Sequence, residues 1–385
     1  AQVRAFFSDL AKRFPGLKLQ LLCPLAEGGD QLAARVALEL GIELVAVLPM
    51  DVEAYEQDFE SAASLAEFRG FIESARQVIC LPRAPGRRYS GPDQGVGNRD
   101  RQYAQVGMFI SNHCQVLLAV WDGKPVEAVG GTAHIVNYHL TAVMEGFEDQ
   151  QSSAHLLADN ENDVAFHIVC SRDRPGGSPE PGLEPLACYW ISSQSGRVPA
   201  GEMPGEYALM LERLQQFDAD RVRHATDPGP GGTLLAGVPA GLDAPASALF
   251  TERLFLIADV LAIHYQKRVN RSLIAIHALA LLMGLVFIVY SEYNLAKYVL
   301  WVFLGLFVAG LGLHFTSNRR EWHRKYLDYR ALAEALRVQF YWNLAGVIET
   351  RSVALAYENF LQKQDVELGW IRHVMRAASM QRARS

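Results

Sequence analysis

Two uninterrupted apolar runs constrain the fold of this chain more than any other feature. They cover residues 272–290 and 298–315, and neither contains Asp, Glu, Lys or Arg. A helix rises about 1.5 Å per residue, so about 20 apolar residues cross the roughly 30 Å hydrocarbon core of a bilayer. The two runs therefore predict a pair of transmembrane helices.

The short stretch between the runs predicts how the helices are arranged. Residues 291–297 alone separate them, which favours an antiparallel hairpin whose flanks lie on one side of the membrane. Both flanks are basic, and the positive-inside rule places such flanks in the cytoplasm. The alternative, a hairpin buried in a large soluble protein, is disfavoured because both runs are apolar on every helical face. The basic residues are Lys267, Arg268 and Arg271 before the hairpin and Arg319, Arg320, Arg324 and Lys325 after it.

Composition narrows the class of protein. The chain of 385 residues is too long for one typical core, and its formal net charge of -6 gives no reason to expect nucleic-acid binding. Its five cysteines lie far apart without a CxxC pair, which favours buried thiols in a reducing cytosol over disulfides or metal ligation. The sequence contains no metal-ligand set, Walker loop or Gly-x-Ser-x-Gly elbow, so neither a metal nor a cofactor is predicted.

The first 172 residues alternate short apolar segments with helical patterns. This alternation predicts an α/β domain with a Rossmann-like parallel sheet that is covered on both faces. The chain begins without Met and inside the first helical pattern, so we expect its natural N-terminus, with a further strand, to lie upstream. Strands are expected at 17–23, 42–48, 77–81, 115–121 and 164–170, and helices at 1–14, 31–40, 61–75, 98–113 and 132–144.

The remainder of the chain divides into a linker and a helical part. Residues 173–245 are rich in Pro and Gly and predict a linker that contains one helix, at 206–223. Residues 246–385 predict an all-α domain that includes the transmembrane hairpin. After the hairpin, amphipathic patterns predict a cytosolic helical bundle. Its helices are expected at 320–343, 352–362 and 366–378.

The strongest local motif follows the first predicted strand, where residues 24–30 read PLAEGGD. Gly28 and Gly29 let the backbone approach a ligand closely, and the N-terminus of the following helix offers free N–H groups with a partial positive charge. We interpret the motif as a phosphate or ribose cradle, in which Glu27 accepts hydrogen bonds from a ribose and Asp30 caps the helix. An ordinary strand-to-helix turn is the alternative.

A second motif follows the fourth predicted strand. Trp121 ends that strand and Asp122 follows it, and Gly130, Gly131 and Thr132 lead into the next helix. Open α/β sheets bind ligands beyond the carboxyl ends of their strands, where loops of this kind gather. Two Gly-rich loops in equivalent positions therefore predict a nucleotide-like ligand.

In this order the motifs resemble the SLOG domain. SLOG is a Rossmann-like superfamily that includes the LOG nucleotide hydrolases and the DprA-type fold, and it is similar to the N-terminal region of melastatin-type TRP channels. The resemblance covers about residues 1–172 and adds Arg99, Gln102 and Tyr103 as ligand-binding positions. It implies a cytosolic domain that binds a nucleotide-derived molecule such as NAD, ADP-ribose or a cyclic nucleotide. The family usually has an earlier strand ending in a Gly-His-Arg-like turn, which has no counterpart here.

One departure from the family bears on catalysis. LOG enzymes cleave an N-glycosidic bond with a Pro-Gly-Gly-x-Gly-Thr-x-x-Glu loop, whose acid stabilises positive charge on the ribose. In the matching stretch Ile135 occupies the position of that acid. His134 is close by, and a lone histidine at a helix start is more often a hydrogen-bond partner than a catalyst. The resemblance therefore implies no catalytic residue.

The helical part, residues 246–385, resembles a SLATT domain, a two-helix effector module of bacterial conflict systems. The resemblance implies a homo-oligomeric pore or membrane-disrupting assembly in antiviral defence, in the bacterial inner membrane with both termini cytoplasmic. Two alternatives stay open: a membrane-anchored nucleotide N-glycosidase, and a channel regulator without a soluble ligand. The matching residues are YR at 329–330, LAEALRVQFYW at 332–342 and WIR at 370–372.

Overall fold

Two compact units make up the chain. The first comprises residues 1–218 and 345–385, and the second comprises residues 219–344. The chain therefore leaves the first unit, builds the second, and returns to the first. The structure, a computed structural model, describes residues 1–82, 96–125, 129–141, 163–172, 176–224, 232–237, 244–293, 298–345 and 368–380.

Strands alternate with helices over residues 1–169, as the sequence predicts, and the described part of the second unit consists of helices. The strands are β1 (Gln20–Cys23), β2 (Glu43–Leu48), β3 (Gln77–Cys80), β4 (Leu117–Trp121), β5 (Val164–Val169), β6 (Cys188–Ser192) and β7 (Gly196–Pro199). The helices are α1 (Gln2–Arg13), α2 (Gly29–Glu39), α3 (Val52–Tyr55), α4 (Ala62–Ser74), α5 (Val96–His113), α6 (Thr132–Thr141), α7 (Gly205–His224), α8 (Ala246–Tyr293), α9 (Tyr298–Arg319), α10 (Trp322–Leu344) and α11 (Gly369–Met380).

The described strands form two sheets instead of one parallel sheet. β1, β2 and β3 form a parallel sheet in that order. β4 pairs with β5 in parallel, whereas β6 and β7 extend β5 in antiparallel fashion. The stretch expected as a linker therefore supplies two strands. Every residue of β7 is exposed, so no apolar alternation marks it in the sequence.

Burial explains why the sequence predicted the parallel strands. All six residues of β5 are buried, as are residues 44–48 of β2. A strand that is covered on both faces appears in the sequence as a continuous apolar run. All five cysteines are free thiols; Cys23 is buried, but Cys80 is exposed, contrary to the expectation that the strand cysteines are buried.

The C-terminal helix α11 belongs to the first unit. Trp370 is buried and packs on Phe217 of α7, with 5.5 Å between ring centroids. Arg376 donates hydrogen bonds of 2.8 and 3.2 Å to the two carboxylate oxygens of Asp163, beside β5. Both side chains are almost fully buried, at 3% and 2% exposure. The helix predicted at 352–362 lies outside the described residues.

The second unit contains the two predicted apolar runs, within α8 and α9. Their large side chains face outward: Ile274, Leu281 and Trp301 are 69%, 68% and 69% exposed. Helices buried in a soluble core would have these side chains covered. By length and composition, both helices are long and apolar enough to cross a membrane. Most of the predicted connection, residues 294–297, lies outside the described residues.

Helix α10 buries the stripe that its sequence predicts. Tyr329, Leu332, Leu336 and Phe340 are each at most 2% exposed. Their spacing of three or four residues places them on one helical face, which packs against α8. The amphipathic prediction for this helix is confirmed.

Candidate ligand-binding site

A cavity of about 500 Å³ lies between β1 and β4 in the first unit. Among the described strands, β1 pairs with β2 and β4 pairs with β5, so the strand edges that face the cavity are unpaired. Residues of α1 and α5, such as Phe6 and Ile110, close over it. The volume falls within the range of about 300–1,000 Å³ that is typical of small-molecule sites.

Polar groups gather at one end of the cavity, beyond the carboxyl ends of β1 and β4. The structure brings five of the predicted binding residues together there: Asp30, Tyr103, Gly130, Gly131 and Thr132.

The first Gly-rich loop contributes less than expected. Helix α2 begins at Gly29, and its N-cap is Gly28, with a φ of 96° and no side-chain cap. The prediction that Asp30 caps this helix is therefore wrong, because Asp30 lies inside the first turn. A Cβ atom on Gly29 would lie 3.3 Å from Cβ of Val120, so the loop backbone packs on β4. Glu27 is exposed and, like the two glycines, does not line the cavity.

The second Gly-rich loop requires glycine at one position. Gly130 has a φ of 80°, and a Cβ atom there would lie 2.8 Å from the backbone N of Ala104 and 2.9 Å from the carbonyl O of Asp100. The loop is thereby seated against α5. Helix α6 follows at Thr132, and N–H groups in the first turn of a helix have no partner within the helix. That turn forms part of the cavity wall, where it favours an anion.

Three predicted positions on α5 brace the segment after β2. Gln102 is buried and donates a 2.7 Å hydrogen bond to the carbonyl O of Pro49. Arg99 forms a 2.9 Å ion pair with Asp58, and the hydroxyl of Tyr103 donates to the same carboxylate. Tyr103 lines the cavity, whereas Arg99 and Gln102 support its wall.

Tyr55 is a cavity residue that the sequence reasoning missed. It lies in α3, is 2% exposed, and packs near Tyr103 with 6.3 Å between ring centroids. Burial, followed by the charge of Asp30, raises the pKa of Tyr55 well above its usual range. A tyrosine shortly after the carboxyl end of a predicted strand was a usable signal.

Trp121 and Asp122 do not line the cavity. Asp122 is buried and forms a 2.7 Å ion pair with Arg172. The ring of Trp121 packs on His167, with 5.1 Å between centroids. Both predicted residues therefore organise the carboxyl ends of β4 and β5 instead of contacting the space where a ligand would fit.

Asp30, at the polar end of the cavity, has a raised pKa. Burial raises its pKa to about 6, and a hydrogen bond from the backbone N–H of Ala26 opposes this effect. The residue as a whole is half-buried, so its carboxyl group sits at the cavity wall. A carboxyl group whose pKa is raised by burial at the wall of a cavity is a candidate for ligand binding.

Replacing Asp30 with asparagine should stabilise the protein above pH 6. Since the pKa of Asp30 is raised on folding, the wild-type chain loses stability as the pH rises from about 4 to about 6, and the asparagine side chain has no proton to lose. We expect a gain of about 1–2 kcal/mol at pH 7.5 and little difference at pH 4. Chemical denaturation at both pH values measures this, with Asp9→Asn on the exposed face of α1 as control. An equal effect at both pH values would contradict the assignment.

Residues next to the second Gly-rich loop bear on whether the cavity could be a catalytic site. The backbone N–H of Gly130 donates to Nδ1 of His134 at 3.2 Å, so His134 is a hydrogen-bond partner of the loop. Ile135 lines the cavity and packs on Gly107 of α5. Within the described ranges, no three His, Cys, Asp or Glu side chains are placed to share a metal ion.

Comparisons with known proteins found no match. The chain matches no family model, no curated protein and no solved structure.

Proposed function

We propose that this protein is a membrane effector whose cytosolic α/β unit senses a nucleotide-derived ligand and gates an oligomeric transmembrane assembly. The assembly acts as a pore or disrupts the membrane, in bacterial antiviral or conflict defence. The observation that carries the proposal is the joining, in one chain, of a cavity at the carboxyl ends of parallel strands with an exposed apolar helix pair.

The chemistry of the cavity supports a nucleotide-derived ligand. Tyr55 and Tyr103 offer aromatic faces for a base, and Asp30 can accept hydrogen bonds from ribose hydroxyls. The first turn of α6, at Thr132, favours a phosphate. NAD, ADP-ribose and cyclic nucleotides share these three chemical parts. The SLOG-like order of the motifs points to the same class of ligand.

The geometry of the hairpin supports an oligomer. Two helices cannot enclose an aqueous path by themselves, so a pore needs several copies of the chain. Gly305 and Gly312 of α9 have no neighbouring atom within 4 Å of a Cβ position, whereas Gly310 approaches Leu279 of α8 at 3.8 Å. The two open glycines leave a smooth surface on which a helix of another copy can pack closely.

A buried polar cluster supports coupling to the hairpin. It lies in the second unit, where the last turn of α7 meets α8 and α10. Asp220 accepts hydrogen bonds of 2.7 Å from Lys325 and 2.7 Å from Tyr329, and Lys325 also donates to Tyr265 at 3.3 Å. Because α7 carries the chain from the first unit into the second, Asp220 is an early point at which ligand binding would act on the hairpin.

The binding half of the proposal is tested by thermal unfolding of the full chain in detergent with NAD, ADP-ribose, cyclic nucleotides and nucleoside monophosphates. We expect one class to raise Tm, because a ligand at 100 times its Kd adds about 2.7 kcal/mol of stability. Thr132→Glu should abolish that shift, since its charge repels phosphate, and should leave the unliganded Tm unchanged or higher because an acid suits the first turn of a helix.

Thr141→Glu, at the other end of α6, is the matched control and should keep the ligand-induced shift. Absence of a shift with every nucleotide, or a shift that survives Thr132→Glu, would contradict the sensor site. Free base measured in the same incubations separates the alternative. Its release would favour the membrane-anchored N-glycosidase, which the apolar contacts of Ile135 disfavour.

A further inference from the structure

Two contacts fix the pairing of the two apolar helices, and a third joins α8 to the start of α10. Leu279 lies 3.8 Å from the Cβ position of Gly310, and the rings of Phe287 and Phe303 are 6.4 Å apart. Nearer the cytosolic flank, the guanidinium of Arg268 lies 5.5 Å over the ring of Trp322. As residue numbers fall on α8, they rise by nearly the same amount along α9 and the start of α10, so the packing is antiparallel.

This register brings like charges to one level. Extended between the first and third contacts, it places Arg271 at about the level of Arg319, with Arg320 next in sequence. All three side chains are exposed. Among the described residues, none of the three has an acidic partner within 4.0 Å. The acidic residues nearest in sequence to Arg319 and Arg320 are Glu321 and Asp328. Both form ion pairs with Arg324, at 2.5 and 2.8 Å.

The position of the three arginines indicates what neutralises them. Arg271 directly precedes the first apolar run, and Arg319 and Arg320 follow the second, so all three lie where the hydrocarbon core of a membrane ends. Trp322, an aromatic residue suited to the headgroup region, is at the same level. Arginine binds phosphate through two parallel hydrogen bonds.

We propose that Arg271, Arg319 and Arg320 form a headgroup site for anionic phospholipids at the cytosolic end of the hairpin. The site makes the stability of the hairpin depend on the charge of the surrounding leaflet. The inference rests on the membrane placement in the proposed function and is independent of nucleotide sensing.

The test uses the full chain in neutral detergent, titrated with phosphatidylglycerol, phosphatidylcholine or inorganic phosphate. Thermal unfolding should shift with phosphatidylglycerol and with neither of the others. Arg271→Gln/Arg319→Gln/Arg320→Gln should weaken the phosphatidylglycerol response by about 100-fold, because each basic residue near an anionic surface contributes about a factor of five.

The matched control removes three other exposed basic charges, in the variant Lys12→Gln/Arg223→Gln/Arg253→Gln. Arg253 lies on α8 about 27 Å before Arg271, far from the membrane boundary. This control should keep the wild-type response. Equal shifts with both lipids, a shift reproduced by inorganic phosphate, or a triple variant that responds like wild type would each overturn the proposal. A failed nucleotide titration would leave these readings unchanged, so the two proposals fail separately.

Discussion

Replacing Arg376 with methionine should lower the free energy of unfolding of the first unit by about 3–5 kcal/mol, the usual cost of leaving a buried charge without its partner. Arg376 holds Asp163 through two hydrogen bonds, and neither side chain reaches solvent. Methionine fills a similar volume but cannot compensate the carboxylate. Denaturant unfolding at pH 7 of the full chain in detergent measures the loss.

The pH dependence of this stability loss shows whether the unpaired charge of Asp163 causes it. Burial by itself would raise the pKa of Asp163, but Arg376, with contributions from His139 and Arg372, outweighs it and holds that pKa well below the usual range. The pair therefore stabilises the wild-type chain above about pH 4, the ordinary range of Asp, and the contribution fades as the pH falls further. In Arg376→Met the carboxyl group can take up a proton instead, so the difference between the two chains should shrink toward low pH.

A surface pair of the same geometry is the control. Arg69 donates two hydrogen bonds to Glu56, of 2.8 and 2.7 Å, but the arginine side chain is 58% exposed. Arg69→Met should cost far less than Arg376→Met, since solvent screens such pairs. Equal losses in the two variants would contradict the account of α11 as a helix locked to the sheet by a buried charge.

The sequence predicted those elements that have a strong local signal. The apolar runs, the buried strands β2 and β5 and the amphipathic helix α10 each follow from residue periodicity. The strands β6 and β7 were missed because their stability comes from pairing on β5, in a segment whose Pro and Gly content suggests a linker. The packing of α11 beside β5 could not be predicted from the sequence either. Asp163 and Arg376 are 213 residues apart in the chain, and no local pattern links them.

The candidate site was predicted in part for the same reason. Glycines at strand ends located the loops, and Gly130 and Thr132 of the second loop line the cavity. Sequence order could not show which side chains point into the space: Asp122 is taken by Arg172, while Tyr55 of the overlooked helix α3 enters the cavity.

Lys325→Met should abolish the response of the hairpin to nucleotide while leaving nucleotide binding intact. The lysine neutralises Asp220, and both side chains are at most 10% exposed. Burial would raise the pKa of Asp220, but the hydrogen bonds from Lys325 and Tyr329 lower it, so the pair is charged at neutral pH. Methionine leaves the buried carboxylate without a counter-charge, which breaks the link from the last turn of α7 to α10.

Arg330→Met serves as control on the same helix. Arg330 bonds Asp259 at 3.0 Å, but its side chain is 45% exposed, so its loss should leave gating close to wild type. Tyr329→Phe removes one bond to Asp220 and keeps the ion pair, and we expect an intermediate response. If Lys325→Met and Arg330→Met behave alike, the Asp220 cluster does not transmit the signal.

The most direct measurement is ion or dye release from vesicles that contain the reconstituted full chain, before and after addition of the nucleotide that raises Tm. Our account predicts release with the nucleotide, little without it, none from Thr132→Glu and none from Lys325→Met. Release that is the same with and without nucleotide, or that persists in Thr132→Glu, would contradict the claim that the α/β unit gates the membrane helices.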